Sequence, residues 1–337
     1  MTSRETIRMS KGKNTEHMMK TEQSSSVPRV GVSACLLGRE VRFDGGHKHD
    51  RYVTGKLGEV FNLVPVCPEV EAGMGVPRPV IQLRRINGET RLMRSDGSID
   101  YTEAMMKVAS RRALTLGSEI SGFIFKSKSP TCGMERVPMA NAEGVKQDRS
   151  GVGLFVQQFT RLAPLVPIEE EGRLNDPMLR ENFLERVYSF QRWKEVDPED
   201  IRGFIAFHER HKLILMARGS ACYSQLGRIV AGVTRKDLAQ RREQYIATFM
   251  QVMKGLATRK RHYNVLQHVM GYFKQKIDSE DKRELLDLMQ SYREMQVPLA
   301  TPIAILKHHL RKHPDSYLRN QHYFDPYPGT LALRASI

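Results

Sequence analysis

The sequence predicts an α/β N-terminal domain with a mostly parallel sheet, followed by an all-α C-terminal helical domain. Three observations carry this. Short apolar runs alternate with helical periodicity through the first half. Prolines and a run of three glutamates interrupt the chain near 164–172. Beyond residue 200 apolar residues recur at helical spacing almost throughout. A length of 337 residues fits two domains.

The elements follow in order. The first 27 residues are polar, end near Ser24–Ser26, and lack the apolar stretch of a secretory signal. A disordered leader is expected over 1–27. Val30–Ala34 reads as a first strand and Phe61–Val66 as a second. The Gly/Pro-rich stretch Gly73–Pro79 makes a long loop, Glu103–Leu116 an amphipathic helix, and Gly122–Phe125 a third strand. These place the first domain at 28–165. Residues 166–200 read as an acidic connector carrying a linking helix, with Leu179, Phe183, Val187 and Phe190 along one side. Residues 201–337 form the helical domain, with helices near 198–218, 221–231, 235–257, 261–276, 279–294 and 301–312. Asp278 or Ser279 caps the fifth of these.

At 40% hydrophobic and 27% charged, the composition is that of an ordinary globular chain. No apolar run approaches a membrane span. Four cysteines in so long a chain do not make a disulfide framework, and a cytoplasmic location is expected. The formal net charge is +15, and it is unevenly spread. Residues 166–200 hold 5 Lys and Arg against 10 Asp and Glu, whereas residues 201–337 hold 23 against 11. Such an excess attracts polyanions, nucleic acid above all; a generally basic, solubilising surface is the bland alternative. The basic clusters are Arg235-Lys236, Arg241-Arg242, Arg259-Lys260-Arg261 and the segment Lys307–His313, interleaved with tyrosines. Basic side chains hold phosphates and aromatics stack on bases, although a helical core uses the same aromatics.

Cys35, Cys67 and Cys132 each close or follow a predicted strand, in Ser33-Ala-Cys-Leu-Leu-Gly, Val66-Cys-Pro-Glu and Lys126-Ser-Lys-Ser-Pro-Thr-Cys-Gly. Ligands of open α/β sheets bind beyond the carboxyl ends of strands, where these three could converge. There is no Cys-x-x-Cys pair, so spacing alone suits buried structural cysteines as well as a metal site. The polar, Gly/Pro-rich flanks favour a site. His47 and His49 read as a polar loop over its mouth, His208 and His211 as a hydrogen-bonded structural pair, and Cys222 as a buried small residue.

Together with Phe43-Asp-Gly-Gly and Val76-Pro-Arg-Pro, these phrases resemble the thiouracil desulfidase family across residues 28–160. Residues 201–330 resemble the YbgA-like helical domain through Phe207-His-Glu-Arg-His-Lys, Asn264-Val-Leu-Gln-His, Gly271-Tyr-Phe-Lys and Asp325-Pro-Tyr-Pro. The fusion is similar to bacterial tRNA 4-thiouridine desulfidases. The resemblance implies a 4Fe-4S cluster on Cys35, Cys67 and Cys132, leaving one iron without a protein ligand, and non-redox conversion of 4-thiouridine to uridine in tRNA. In that scheme Glu69 is the acid/base, and Ser129 binds substrate or passes a proton. Ser33 and Thr131 are weaker candidates for substrate contact. Lys126 and Lys128 could meet phosphate, and Arg235, Lys236, Arg241, Arg242, Arg259, Lys260 and Arg261 could meet RNA. A desulfidase of free thiouracil bases, a non-catalytic iron–sulfur sensor that binds nucleic acid, and a zinc protein are the alternatives. No obligate protein partner is expected.

Overall fold

The computed structural model describes residues 26–331 and 333–335. Most of the expected leader therefore lies outside the described residues; only Ser26 and Val27 fall within them. Two four-stranded sheets form among the described residues. The first contains β1 (Arg29–Ser33) and β2 (Asn62–Val66). The second contains β3 (Ile81–Ile86) and β4 (Glu89–Arg94). β5 (Gly122–Phe125) returns to the first sheet, and β6 (Val137–Ala140) and β7 (Lys146–Gly151) complete the second. β8 (Ile168–Glu170) then joins the first sheet beside β5.

The first sheet runs β2-β1-β5-β8 and is parallel throughout, as the alternation of apolar runs and helical periodicity predicts. It is buried on both faces, as parallel sheets are. Phe123 and Phe125 point to one side and pack on Phe155 and Phe159, while Ile124 joins Val30, Val32 and Val187 on the other. Ser33 pairs with Val66 at the ends of β1 and β2, so both chains leave the sheet at the same edge.

The second sheet, β4-β3-β6-β7, is mixed and was not legible as a sheet in the sequence. β3 and β4 meet through Asn87 and Gly88 at φ 50 and 82, the two left-handed positions of a tight hairpin. The exposed edge strand β7 is polar from Lys146 to Ser150, so it carries no apolar signal.

The helices begin with α1 (Pro68–Glu71), α2 (Thr102–Leu116) and α3 (Leu154–Leu162). α4 (Pro177–Lys194) is started by Asp176, which accepts from the Met178 and Leu179 N–H groups, and by Pro177. Every residue from Glu181 to Gln191 is buried. One side of α4 meets the first sheet, where Phe183 and Val187 pack with Val30, Val32 and Ile124, and the Tyr188 hydroxyl donates to the Val60 carbonyl just before β2 at 2.9 Å. Its other side meets the helical half: Asn182 Nδ2 donates to Met253 O at 2.9 Å. The segment expected as a connector thus supplies β8 and a helix shared by both halves.

The helical half continues with α5 (Ile201–Arg210), α6 (Lys212–Arg218), α7 (Ser220–Val230), α8 (Leu238–Met253), α9 (Arg259–Met270), α10 (Ser279–Arg293), α11 (Ala300–Lys312) and the single turn α12 (Ser316–Arg319). The helix expected at 198–218 breaks at His211, whose ring nitrogen and backbone N–H both turn to Phe207 O. Asp278 caps α10 as expected, accepting from the Glu280 and Asp281 N–H groups. No helix among the described residues is long and apolar enough to cross a membrane.

Candidate functional site

The three cysteines sit where the first sheet ends. β1 stops at Ser33 and turns into a 3-10 helix, Ala34–Leu37, that carries Cys35. Gly38 closes this turn at φ 84, a conformation that costs other residues strain. β2 stops at Val66, and Cys67 stands just before α1. Beyond β5 a loop reaches Cys132. Gly153 holds that loop against the start of α3, where an added Cβ would lie 2.4 Å from Thr131 O. Cys35, Cys67 and Cys132 line one cavity of about 430 Å³.

Burial pushes the Cys35 thiol up to about 11; Cys67 and Glu69 push the same way, and Lys126 and Arg42 oppose them. Burial raises Cys67 and Cys132 as well, with Glu69 adding to both. Their sulfur contacts are long: Thr131 Oγ1 to Cys132 Sγ at 3.5 Å, and Cys67 Sγ to Val41 O at 4.0 Å. Among the described residues no three His, Cys, Asp or Glu side chains stand at the spacing of a single metal ion.

Glu69 lines the same cavity from the first turn of α1. Its Oε1 accepts from Thr131 Oγ1 at 2.6 Å and lies 3.5 Å from Ser129 Oγ. Its Oε2 is ion-paired with Arg78. Ser129 Oγ is 2.8 Å from Thr131 Oγ1 and accepts from the Thr131 and Cys132 N–H groups. With Ser129 donating to Thr131, a directed chain runs from Ser129 through Thr131 to the Glu69 carboxylate.

The remaining candidates divide. Ser33 Oγ accepts from Lys126 N–H at 2.9 Å and so fixes the loop after β5. The Lys126 ammonium is taken by Glu171 and by Ser127 Oγ. Lys128 is exposed, sits at φ 60 and has its side chain at the cavity rim beside Lys146. Arg78, Glu171 and the bridging position of Thr131 escaped the sequence reading. Arg78 stands in Val76-Pro-Arg-Pro, where nothing in the sequence names its partners, and Glu171 stands in the acidic run that reads as a connector.

Comparison with known proteins places both halves. Residues 30–171 match the family described as 2-thiouracil desulfurase, and residues 212–328 match a protein family of unknown function, DUF1722. The chain is 32% identical over 129 residues to the uncharacterized protein YbbK of Bacillus subtilis strain 168, covering 36% of this chain and 83% of that protein. The chain belongs to the 2-thiouracil desulfurase family. Its second part is 35% identical over 135 residues to the uncharacterized protein YbgA of Escherichia coli strain K12, covering 40% of this chain and 80% of that protein. Among solved structures, a 4Fe-4S-dependent thiouracil desulfidase, TudS, is 28% identical and covers 44% of this chain and 93% of its own, at a TM-score of 0.35.

Outside the cavity of the desulfurase part, His47 and His49 are exposed, and His49 Nε2 lies 2.9 Å from Thr54 Oγ1. In the DUF1722 part, the basic candidates are not equivalent. Arg242 is buried over the Trp193 ring at 4.4 Å and donates to Val196 O, which removes it from any surface contact. Arg241 caps the end of α7 through Ile229 O and Ala231 O and pairs with Asp237, while Arg259 is tied to Tyr292. Of these candidates for RNA contact, Arg242 serves the fold, while Arg241 and Arg259 are half-exposed with part of each guanidinium tied to carbonyls or rings of the fold. Arg235, Lys236, Lys260 and Arg261 are exposed. Tyr292 and Tyr323 belong to the core. His208 bonds Tyr245 and His211 bonds Phe207 O, each independently. Cys222 is half-buried rather than buried.

Proposed function

We propose that this chain is an iron–sulfur desulfidase that converts 4-thiouridine in tRNA to uridine. The observation that carries the reading is the convergence of three thiols with an anchored carboxylate in one cavity beyond the first sheet. Membership of the 2-thiouracil desulfurase family supports removal of sulfur from a thiolated uracil. The donor set is of the right kind for a cluster: thiolates are its usual ligands, and Cys35, Cys67 and Cys132 bring three thiols to one cavity, with Thr131 Oγ1 at 3.5 Å from Cys132 Sγ and Val41 O at 4.0 Å from Cys67 Sγ. Cys35, Cys67 and Cys132 would hold a 4Fe-4S cluster, which would supply a Lewis acid for thiocarbonyl sulfur.

The net change at C4 balances without electron transfer: thiocarbonyl plus water gives carbonyl plus hydrogen sulfide. Glu69 takes the proton of the attacking water on Oε1, and the Thr131 and Ser129 hydroxyls pass it on once they turn so that Oε1 donates to Thr131 and Thr131 to Ser129. Phe43, Val80 and Ile81 give the cavity an apolar wall for a pyrimidine face. Nucleic acid as substrate is supported by the charge excess after residue 200 and by two exposed lysines at the rim, Lys128 and Lys146.

The test is incubation of anaerobically reconstituted protein with thiolated tRNA, followed by nucleoside analysis. 4-Thiouridine should fall, uridine rise and sulfide appear. An unchanged 4-thiouridine pool with verified iron would sink the reading. Activity on free 4-thiouracil alone would move the substrate to the free base.

A further inference from the structure

The least explained group in the cavity is Arg78. Its side chain is 3% exposed, yet it lies in the loop between α1 and β3 rather than in an element. Nη1 donates to Gly75 O at 2.8 Å, and Nη2 donates to Val41 O at 3.0 Å and to Glu69 Oε2. Its backbone N–H donates to Phe43 O at 2.9 Å. One residue therefore ties together the loop after Cys35, its own loop and the carboxylate that follows Cys67. The two carbonyls orient the guanidinium plane, so the carboxylate finds its partner in a fixed direction. With Oε2 held, Oε1 is turned toward Thr131 and Ser129.

We infer that Arg78 is a positioning residue: it holds Glu69 so that one carboxylate oxygen faces the Thr131–Ser129 pair and the other is withdrawn from the reaction. The inference rests on the reading above that makes Glu69 the base. A lysine has no fork and cannot serve two carbonyls and a carboxylate at once, so the geometry calls for arginine itself. Arg78 lines the cavity, but the hydrogen bonds of its guanidinium go to two loop carbonyls and to Glu69, through which it acts.

A double-mutant cycle on the full-length, iron-loaded protein tests this, using E69Q, R78M and E69Q/R78M with a thiolated nucleoside as substrate. R78M should keep its iron, by absorption and iron assay, and its KM, while kcat falls about 10–100-fold, the range of a misplaced catalytic group. The double variant should be no slower than E69Q alone, because a residue that acts only through Glu69 has nothing left to lose without it. R78A should regain kcat with added guanidinium and not with sodium at equal ionic strength. Should R78M lose iron, R78K takes its place in the cycle. Losses that multiply in the double variant, or full activity in R78M while E69Q is impaired, overturn the positioning role alone. Wild-type rates in E69Q overturn the assignment of Glu69 as base, and with it the inference.

Discussion

At the scale of the residue, the cavity is organised around one carboxylate with two different oxygens. Replacing Glu69 by Gln keeps the shape but replaces an acceptor oxygen by a donor amide. Iron should stay bound while turnover falls about 10²–10⁴-fold, the usual worth of a general acid/base. Thr131 separates the two hydroxyl roles. T131S retains the bridge between Ser129 and Glu69 and should retain most of the rate. T131V keeps the volume, removes the bridge, and should lose rate without losing iron; equal rates in the two variants would take Thr131 out of proton transfer.

The residues that the sequence revealed and those that it hid differ for a physical reason. Cys35, Cys67 and Cys132 were legible because an apolar run stops at or just before each of the first two, and parallel strands end at one edge. Arg78 was hidden because its partners, Val41 and Glu69, reach it only once a loop has folded back. Charge clustering misjudged Arg242 for the opposite reason. A guanidinium that stacks on Trp193 and serves a backbone carbonyl looks in sequence like one that waits for phosphate.

At the scale of the element, two positions carry more than their size suggests. Gly153 starts α3 in contact with the loop that presents Cys132. G153A must displace the Thr131 backbone, a strain of about 1–3 kcal/mol, so both melting temperature and iron content should drop. D278A removes the cap of α10, remote from the cavity, and should cost about 1 kcal/mol in denaturant unfolding with iron and turnover intact. Here too the sequence was uneven. The cap and most helices could be read, whereas the second sheet could not. Its hairpin is announced only by Asn87-Gly88 between alternating residues, and β7 is too polar to look like a strand.

At the scale of the whole molecule, burial lowers six histidines of the helical half, His268 and His309 among them. Burial pulls His208 down to about 4 and His262 and His322 to about 3, and holds His211 well below its ordinary value. The unfolded chain, with imidazoles near 6.5, then binds more protons than the folded one. The stability they confer is fully present above that pH and is lost as pH falls from about 6.5 toward 4. Glu181, raised by burial, works in the other direction. Melting temperature followed from pH 7.5 to pH 4.5 should fall along this window; a flat profile would show that these rings are not the controlling groups.

α4 has a consequence for the order in which the protein is made. Glu185, wholly enclosed, is answered by Arg218 and Arg334, and Arg334 also reaches Glu181. A ribosome releases α4 long before it releases Arg334, which lies 149 residues beyond Glu185. Until Arg334 emerges, Glu181 lacks its arginine and Glu185 has Arg218 but not Arg334, so burying α4 carries a cost although the sheet it must cover is already complete. The half that carries the cavity therefore waits, during synthesis, for side chains of the half that follows it. A messenger cut short before Arg334 leaves Glu181 without its arginine, and the shortened chain should be cut by a protease faster than the full one.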